Sequence, residues 1–255
     1  MGYCPTLQTM KIAVITDIHE DFRNLEKAFD SIKMQGCDLV VCLGDITGYS
    51  PLFYSHAPDA NACIDMLKYH SAMVTAGNHD LFSSQRLPSY HLEKNMPANW
   101  YQLPVAERLK ITRNKIWLYQ EEVQPVLSKE NFTFLEGLKE WEVVDTGKGL
   151  LLFSHFFQPD LAGVGRWFPF NSLEISDHFR FMRAQKCKFA FAGHSHPPGA
   201  VTVNRLFWSH TYKDVITIRG HHKAVICPAI VGERFPGSYI TFDTEKNLLS
   251  TILID

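Results

Sequence analysis

After an N-terminal stretch without periodicity, an apolar run over Lys11 to Thr16 opens a recurring pattern. Similar runs follow at Leu39 to Leu43, Ala72 to Ala76, Leu150 to Phe153 and Phe189 to Ala192. Each is the length of a buried strand and too short for a helix. Between the first two, Leu25, Ala28, Phe29 and Ile32 recur at helical spacing, which predicts a helix over Asn24 to Gln35 that stops at Gly36. Asp59 stands where it can cap a second helix carrying Ile64 and Leu67. Strand, helix and strand in alternation predict a parallel α/β half.

From Ser83 to Gln124 the strand signals stop, and aromatic, amphipathic material including Trp100, Tyr101, Trp117 and Tyr119 takes their place. The expectation is one domain over residues 1–255, with a helical excursion at about 83–124. A short helix is expected from Ser128, presenting Phe132 and Leu135, then a hairpin over Trp141 to Phe153 that turns at Gly147-Lys148-Gly149. Beyond His196, short β-branched runs at Ala200 to Arg205, Val215 to Ile218, Ala224 to Cys227, Tyr239 to Phe242 and Leu248 to Ile254 predict a second, largely antiparallel sheet.

Composition narrows the partners. A 45% apolar and 20% charged chain is an ordinary globular one, and 25 basic against 27 acidic residues leave a net charge of -2. That balance gives no electrostatic footprint for nucleic acid or an anionic membrane. No apolar stretch is long enough to span a bilayer, and Met1-Gly2-Tyr3-Cys4-Pro5 has neither region of a signal peptide, so a cytoplasmic location is expected. Cys4, Cys37, Cys42, Cys63, Cys187 and Cys227 form no Cys-x-x-Cys pair and read as buried thiols without disulfides.

The polar residues carry the chemistry. Each strand-like run ends in a short block: Asp17-Ile18-His19, Gly44-Asp45, Gly77-Asn78-His79-Asp80, Ser154-His155 and Gly193-His194-Ser195-His196. In open α/β sheets ligands bind beyond the carboxyl ends of the strands, so these five blocks can converge on one site. Two divalent metals need imidazole, carboxylate or amide ligands, with one group bridging the pair. Asp17, His19, Asp45, Asn78, His155, His194 and His196 supply that set. Two metals bring four positive charges and the two carboxylates return two, which leaves a centre that favours a hydroxide and a phosphate anion. Such a centre lowers the pKa of bound water to about 7 and clamps both ends of an in-line attack on phosphorus. The imidazole-rich, thiolate-free donors suit Mn, Fe, Zn, Co or Ni. His79 is assigned to protonate the leaving oxygen, with Asp80 as the carboxylate that orients its ring.

Taken in order, these blocks resemble those of the calcineurin-like metallophosphoesterase superfamily: Asp-x-His, Gly-Asp-x-x, Gly-Asn-His-Asp/Glu, His and Gly-His-x-His. The resemblance runs from about residue 11 to the C-terminus. It implies a four-layer α-β-β-α sandwich of two mixed β-sheets. It also implies that Asp17, His19, Asp45 and His196 hold one metal and Asp45, Asn78, His155 and His194 the other, with Asp45 bridging. Gly44-Asp45-Ile46-Thr47-Gly48-Tyr49 is similar to the Gly-Asp-x-x-Gly-Tyr of small bacterial phosphodiesterase-like members, and lacks the Asp-Arg-Gly of protein phosphatases. The expected activity is hydrolysis of a phosphodiester or nucleotide-type phosphoester. A phosphomonoesterase and a non-catalytic scaffold of the same fold are the alternatives, the second disfavoured because no ligand position is lost.

This chain departs from the branch at Glu20-Asp21 and at Phe156-Phe157, both beside the expected metal pocket. Arg23 and Arg166 are candidates to pair with phosphate, and Tyr49 to touch the substrate. Phe156, Phe157, Trp167, Phe168 and Phe170 are read first as packing, with an apolar substrate wall as the alternative. His56, His70, His91, His178, His210, His221 and His222 lack ligand spacing and are read as surface residues.

Overall fold

Alternation of side chains along the strands builds the layers of this molecule. A computed structural model describes residues 10–70, 72–90, 96–169, 171–204, 208–211, 215–220, 222–232 and 235–254. Strand β1 (Lys11–Ile15) leads into helix α1 (Phe22–Gln35), then β2 (Leu39–Cys42), α2 (Ala60–Tyr69), β3 (Met73–Val74) and the short α3 (Asn78–Ser83). Asp21 caps α1 by accepting the Asn24 N–H, and Gly36 ends it in the left-handed region at φ 62°. Asp59 caps α2 as expected, accepting from Ala62.

The segment 83–124 is less helical than expected. Its described residues hold one 3-10 turn at Trp100–Gln102 and helix α4 (Val105–Thr112). The rest of the described segment is irregular and buries Ile116 and Leu118, while Trp100 of the 3-10 turn is buried as well. Helix α5 (Lys129–Glu136), capped by Ser128, precedes the hairpin β4 (Trp141–Asp145) and β5 (Leu150–Ser154). Helix α6 (Ser176–Ala184) had no counterpart among the expected elements, although Ile175, Phe179 and Met182 recur at helical spacing and are buried. Then come β6 (Cys187–Ala192), β7 (Ala200–Val203), β8 (Trp208–Thr211), β9 (Val215–Thr217), β10 (Lys223–Ile226), β11 (Ser238–Asp243) and β12 (Leu248–Leu253).

The late strands do not form a sheet of their own, which corrects the expectation. One sheet runs β3-β2-β1-β11-β12-β9 and the other β4-β5-β6-β10-β7-β8. The strands β1, β2 and β3 pair in parallel, as do β5, β6 and β10, and antiparallel strands extend each set. The physical reason is that β1 and β6 each leave an edge that later strands, β11 and β10, satisfy.

Between the sheets lie Ile12, Val14, Val41, Leu151, Phe153, Phe189, Phe191, Val225 and Phe242. The residues between them in sequence point the other way: Ala13 and Ile15 pack under α1 and α2, and Leu152, Ala190 and Ala192 under α6. The result is the four-layer α-β-β-α sandwich of two mixed sheets. No described helix is long and apolar enough to cross a membrane.

His178 on α6 departs from its surface reading. It is fully buried against Phe157, and its Nδ1 accepts the Gln158 N–H at 3.2 Å, so the proton sits on Nε2. Burial pushes its pKa from 6.5 down to about 3. The unfolded chain therefore binds the extra proton between those values, and the contribution of neutral His178 is present above pH 6.5 and lost as the pH falls toward 3. His178→Asn, which keeps an acceptor for Gln158, is expected to remove about 2 kcal/mol of the stability that wild type loses between pH 6.5 and 5. Calorimetric Tm against pH checks this: an unchanged slope for the variant is the contrary result.

Candidate metal centre and active-site cleft

The polar blocks meet because the strands that carry them run the same way. Asp17 and His19 follow β1, Asp45 follows β2, Asn78 and His79 open α3 beyond β3, His155 follows β5, and His194 and His196 follow β6. Donor atoms of Asp17, His19 and His196 lie within 4.8 Å of one another, and those of Asp45, His155 and His194 form a second such group. Asn78 belongs beside the second: a Cβ on Gly163 would meet His194 Nδ1 at 2.8 Å and Asn78 Oδ1 at 3.1 Å.

Backbone strain accompanies this convergence. Asp17 (φ 53°), His19 (47°), Asp45 (52°), His194 (68°) and His196 (42°) all occupy the left-handed region. Each costs roughly 1–2 kcal/mol for an L-residue and persists only where the surroundings hold it. Gly77 is required by close approach, since a Cβ there would collide with the Asp45 carboxylate.

Asp80 holds the Asp45 loop. Its Oδ2 accepts the N–H groups of Asp45 (2.8 Å) and Gly77 (3.0 Å), and its Oδ1 those of Ile46 (2.9 Å) and Thr47 (3.1 Å). Burial and the Asp45 carboxylate push Asp80 up to about 6, against the pull of the Gly77 and Thr47 N–H groups. Glu20, at the first departure from the branch pattern, clasps the next turn by accepting from Gly48 at 3.1 Å and Tyr49 at 3.3 Å. Burial raises Glu20 to about 7.

The imidazoles leave acceptor atoms facing acceptor atoms. His155 Nδ1 donates to the Leu43 carbonyl (2.9 Å), so in the neutral ring the Nε2 lone pair would face Asp45 Oδ2 at 3.0 Å; burial disfavours charge on His155, but Asp45 outweighs it and raises its pKa. His19 Nδ1 donates to the Gly48 carbonyl (3.0 Å), and its Nε2 lies 3.2 Å from His196 Nε2. Asn78 Oδ1 is buried without a hydrogen-bond partner, and His194 Nδ1, the ring nitrogen on the cluster side, lies 3.2 Å from His155 Nε2. A cation answers such an arrangement, and the residues present fit divalent transition metals. Burial opposes ionisation of Asp17 and Asp45, yet the facing imidazoles, His196 and His155 for the first and His155 and His79 for the second, hold both well below the usual carboxylate range. Burial and neighbouring imidazoles push His19 and His194 down to about 3, which keeps them neutral.

His79 has a different partner from the one expected. Its Nδ1 pairs with Glu122 Oε2 at 2.7 Å, and its Nε2 stands 3.9 Å from Asp45 Oδ2. Burial disfavours charge on His79, but Glu122 and Asp45 outweigh it and raise the ring to about 9. Glu122 comes from the excursion, where no motif marked it, and the separation of 43 residues from His79 hides the pairing in the sequence.

A cleft of about 280 Å³ opens over these groups, walled by Phe53, Tyr54, Trp117, Tyr119 and Phe168. Phe168 stacks on His194 (5.1 Å, 12°) and Tyr54 on His19 (5.0 Å, 28°). Of the expected aromatic wall only Phe168 lines this cleft; Phe156 and Phe157 are buried, Trp167 packs on Phe156, and Phe170 lies outside the described residues. The candidate substrate contacts stand elsewhere. Arg23 is exposed on α1, Tyr49 packs on His56, and Arg166 bonds Asn114 and lies 4.7 Å over the outer face of the Trp117 ring system. His56 is not a surface residue: its Nε2 donates to the His19 carbonyl at 2.9 Å and its side chain is 15% exposed. His70 stacks on Phe29, while His91, His221 and the side chain of His210 lie outside the described residues.

Fold and donor cluster together define a metal-dependent phosphoesterase architecture, and comparison with known proteins agrees. The chain belongs to the calcineurin-like phosphoesterase family, which it matches over residues 10–198. It is 35% identical over 69 residues to an uncharacterized protein of Methanocaldococcus jannaschii; that match covers 27% of this chain and 26%, about a quarter, of the relative. Among solved structures it is similar to a metallophosphoesterase from Sphaerobacter thermophilus, with 18% identity, 97% of this chain and 89% of that one covered, and a TM-score of 0.65. A hypothetical protein from Pyrococcus horikoshii is similar at 15% identity, 96% and 88% coverage and a TM-score of 0.60. These two likenesses are of fold.

Asp80→Asn replaces one carboxylate oxygen by an amide that cannot accept, which strands two buried N–H groups. It is expected to cost about 2–4 kcal/mol of unfolding free energy and to lower metal content. Denaturant unfolding with elemental analysis of the purified variant checks both, and a neutral effect on both is the contrary result.

Proposed function

We propose that the protein is a dinuclear-metal phosphoester hydrolase acting on a phosphodiester. Asp17, His19, Asp45 and His196 would hold one divalent ion, and Asp45, Asn78, His155 and His194 the second, with Asp45 shared. The observation that carries the reading is the pair of acceptor-rich groups, with Asn78 Oδ1 left unpartnered beside His194 Nδ1, at one cleft. When bound, such ions supply Lewis acidity that makes water nucleophilic near neutral pH and stabilises charge on the phosphoryl oxygens. Asp45 spends one oxygen on the His79 N–H (2.9 Å) and turns the other toward His155, so its carboxylate is fixed before any ligand arrives.

His79 holds the proton that the leaving oxygen needs. Glu122 on Nδ1 sets the ring orientation and leaves Nε2, the side toward Asp45, as the donating atom. Tyr119 packs edge-to-face with the ring, centroids 4.9 Å apart. Glu122 is a positioning residue in this reading, since it acts through His79.

Two results test the reading. Asp45→Asn and His194→Ala are each expected to lose bound metal and phosphodiester hydrolysis together, so retention of both by either variant would sink it. His79→Ala is expected to keep its metal and to lose about 10²–10⁴ in kcat on alkyl esters, but much less on p-nitrophenyl esters, whose leaving group needs no proton. Glu122→Gln should show the same leaving-group dependence more weakly. An equal loss on both ester types would remove His79 from the acid role.

A further inference from the structure

The cleft over the donor groups has a neighbour. A second hollow of about 300 Å³ shares Phe168 and His196 with it and no other lining residue. Its remaining walls are Pro169, Ser195, Pro197, Pro198, Val201 and Ile226, so it runs over the sheet that carries β7 and β10. The first cleft lies instead under loops of the other sheet and the excursion, with Tyr54, Trp117 and Tyr119 as its flat surfaces. His196, one of the donor residues, stands where the two meet.

Charge separates the candidate substrates. No lysine or arginine is among the described residues lining either hollow, and the first carries Glu121 and Glu122. Arg166, near enough to touch the wall, is turned over Trp117 and tied to Asn114 at 2.7 Å. A nucleoside polyphosphate or a bisphosphate would bring extra negative charge past two carboxylates with no lysine or arginine among the described lining residues to meet it. Aromatic and proline surfaces in two adjoining hollows accept neutral organic groups.

We propose that the substrate is a phosphodiester with one negative charge, carrying a neutral substituent on each side of phosphorus, at least one of them planar and aromatic. The aromatic group lies between Tyr54, Trp117 and Phe168, and the second substituent lies along Pro169, Pro197 and Pro198. This rests on the hydrolase reading above. In the reaction one water oxygen bonds to phosphorus, the bond from phosphorus to one ester oxygen breaks, and that oxygen leaves as an alcohol with the proton from His79. The two protons of the water restore His79 and pass to solvent. The monoester product is dianionic, has lost one of its two organic anchors and meets no lysine or arginine among the described lining residues, so turnover ends at the monoester.

The test uses manganese-loaded protein and three slowly hydrolysed ligands measured by titration calorimetry: dibenzyl phosphate, benzyl methyl phosphate and benzyl phosphate. Hydrolysis of bis-p-nitrophenyl phosphate is followed in parallel. Dibenzyl phosphate is expected to bind at least tenfold tighter than benzyl methyl phosphate, and benzyl phosphate and ATP more weakly than either diester. Trp117→Ala or Tyr54→Ala should weaken every benzyl ester. Equal binding of the dibenzyl and benzyl methyl esters would overturn the two-substituent site, as would tighter binding of benzyl phosphate or ATP. If the expected order of binding holds and bis-p-nitrophenyl phosphate is not cleaved, the recognition proposal stands and the hydrolase reading fails.

Discussion

One buried carboxylate ties the chemistry of this molecule to its fold. Asp80 gathers the N–H groups of Asp45, Ile46, Thr47 and Gly77 and so joins the loop after β2 to the start of α3. Asp45 then returns the tie, since its Oδ1 accepts the His79 N–H at 2.9 Å. A helix of 6 residues is too short to stand on its own hydrogen bonds. These reciprocal bonds hold α3 in place, and they fix Asn78 and His79 at its first turn. Hydrogen bonds to a charged acceptor are the strong ones, worth about 1.5–3 kcal/mol each, which is the scale needed to offset left-handed backbone at Asp45.

The rest of the cluster repeats that logic at higher cost. Asp17 and Asp45 are 0% and 1% exposed, and burying two carboxylates together is expensive unless cations or donors face them. Thr16 Oγ1 at 2.7 Å and the His194 N–H at 3.0 Å serve Asp17, while the His79 N–H at 2.9 Å serves Asp45. His19 and His194, held neutral by burial, add no charge to the cluster, so an ion bound only by the folded chain would stabilise it by mass action. Strain, burial and unpartnered acceptors therefore concentrate in the same few residues, as they do where structure has been held for function.

Legibility in the sequence followed the range of the interactions. The strands β1, β2, β5 and β6 were readable because each is an apolar run that ends in a polar block, and the caps Asp59 and Ser128 because capping is local. The identity of the donor residues followed from the same blocks. Sheet membership of the late strands did not: β10 slots between β6 and β7, and β11 against β1, through pairings that no local pattern encodes. Helix α6 was legible in principle from Ile175, Phe179 and Met182, but aromatic residues and turns just before it masked the period. Asp80 was expected to orient His79 and instead accepts four backbone N–H groups, because proximity in sequence to His79 suggested a contact that the first turn of a helix does not make.

The excursion supplies what the blocks lack. Trp117, hydrogen-bonded through its N–H to the Val164 carbonyl at 3.0 Å, brings Tyr119 and Glu122 over the donor cluster, and the Val123 N–H closes the segment onto Tyr49 at 2.9 Å. In the proposed function the strand-end blocks would set the reaction, since they carry the candidate ligand atoms, and the excursion would set the surface a substrate meets. Arg166 illustrates the division. Its guanidinium lies 4.7 Å over Trp117, and no lysine or arginine is among the described residues lining the cleft. In the proposed reaction the positive charge that a phosphoryl group meets there would come from the imidazole and ion cluster, so affinity for the anion and competence for hydrolysis would reside in the same atoms.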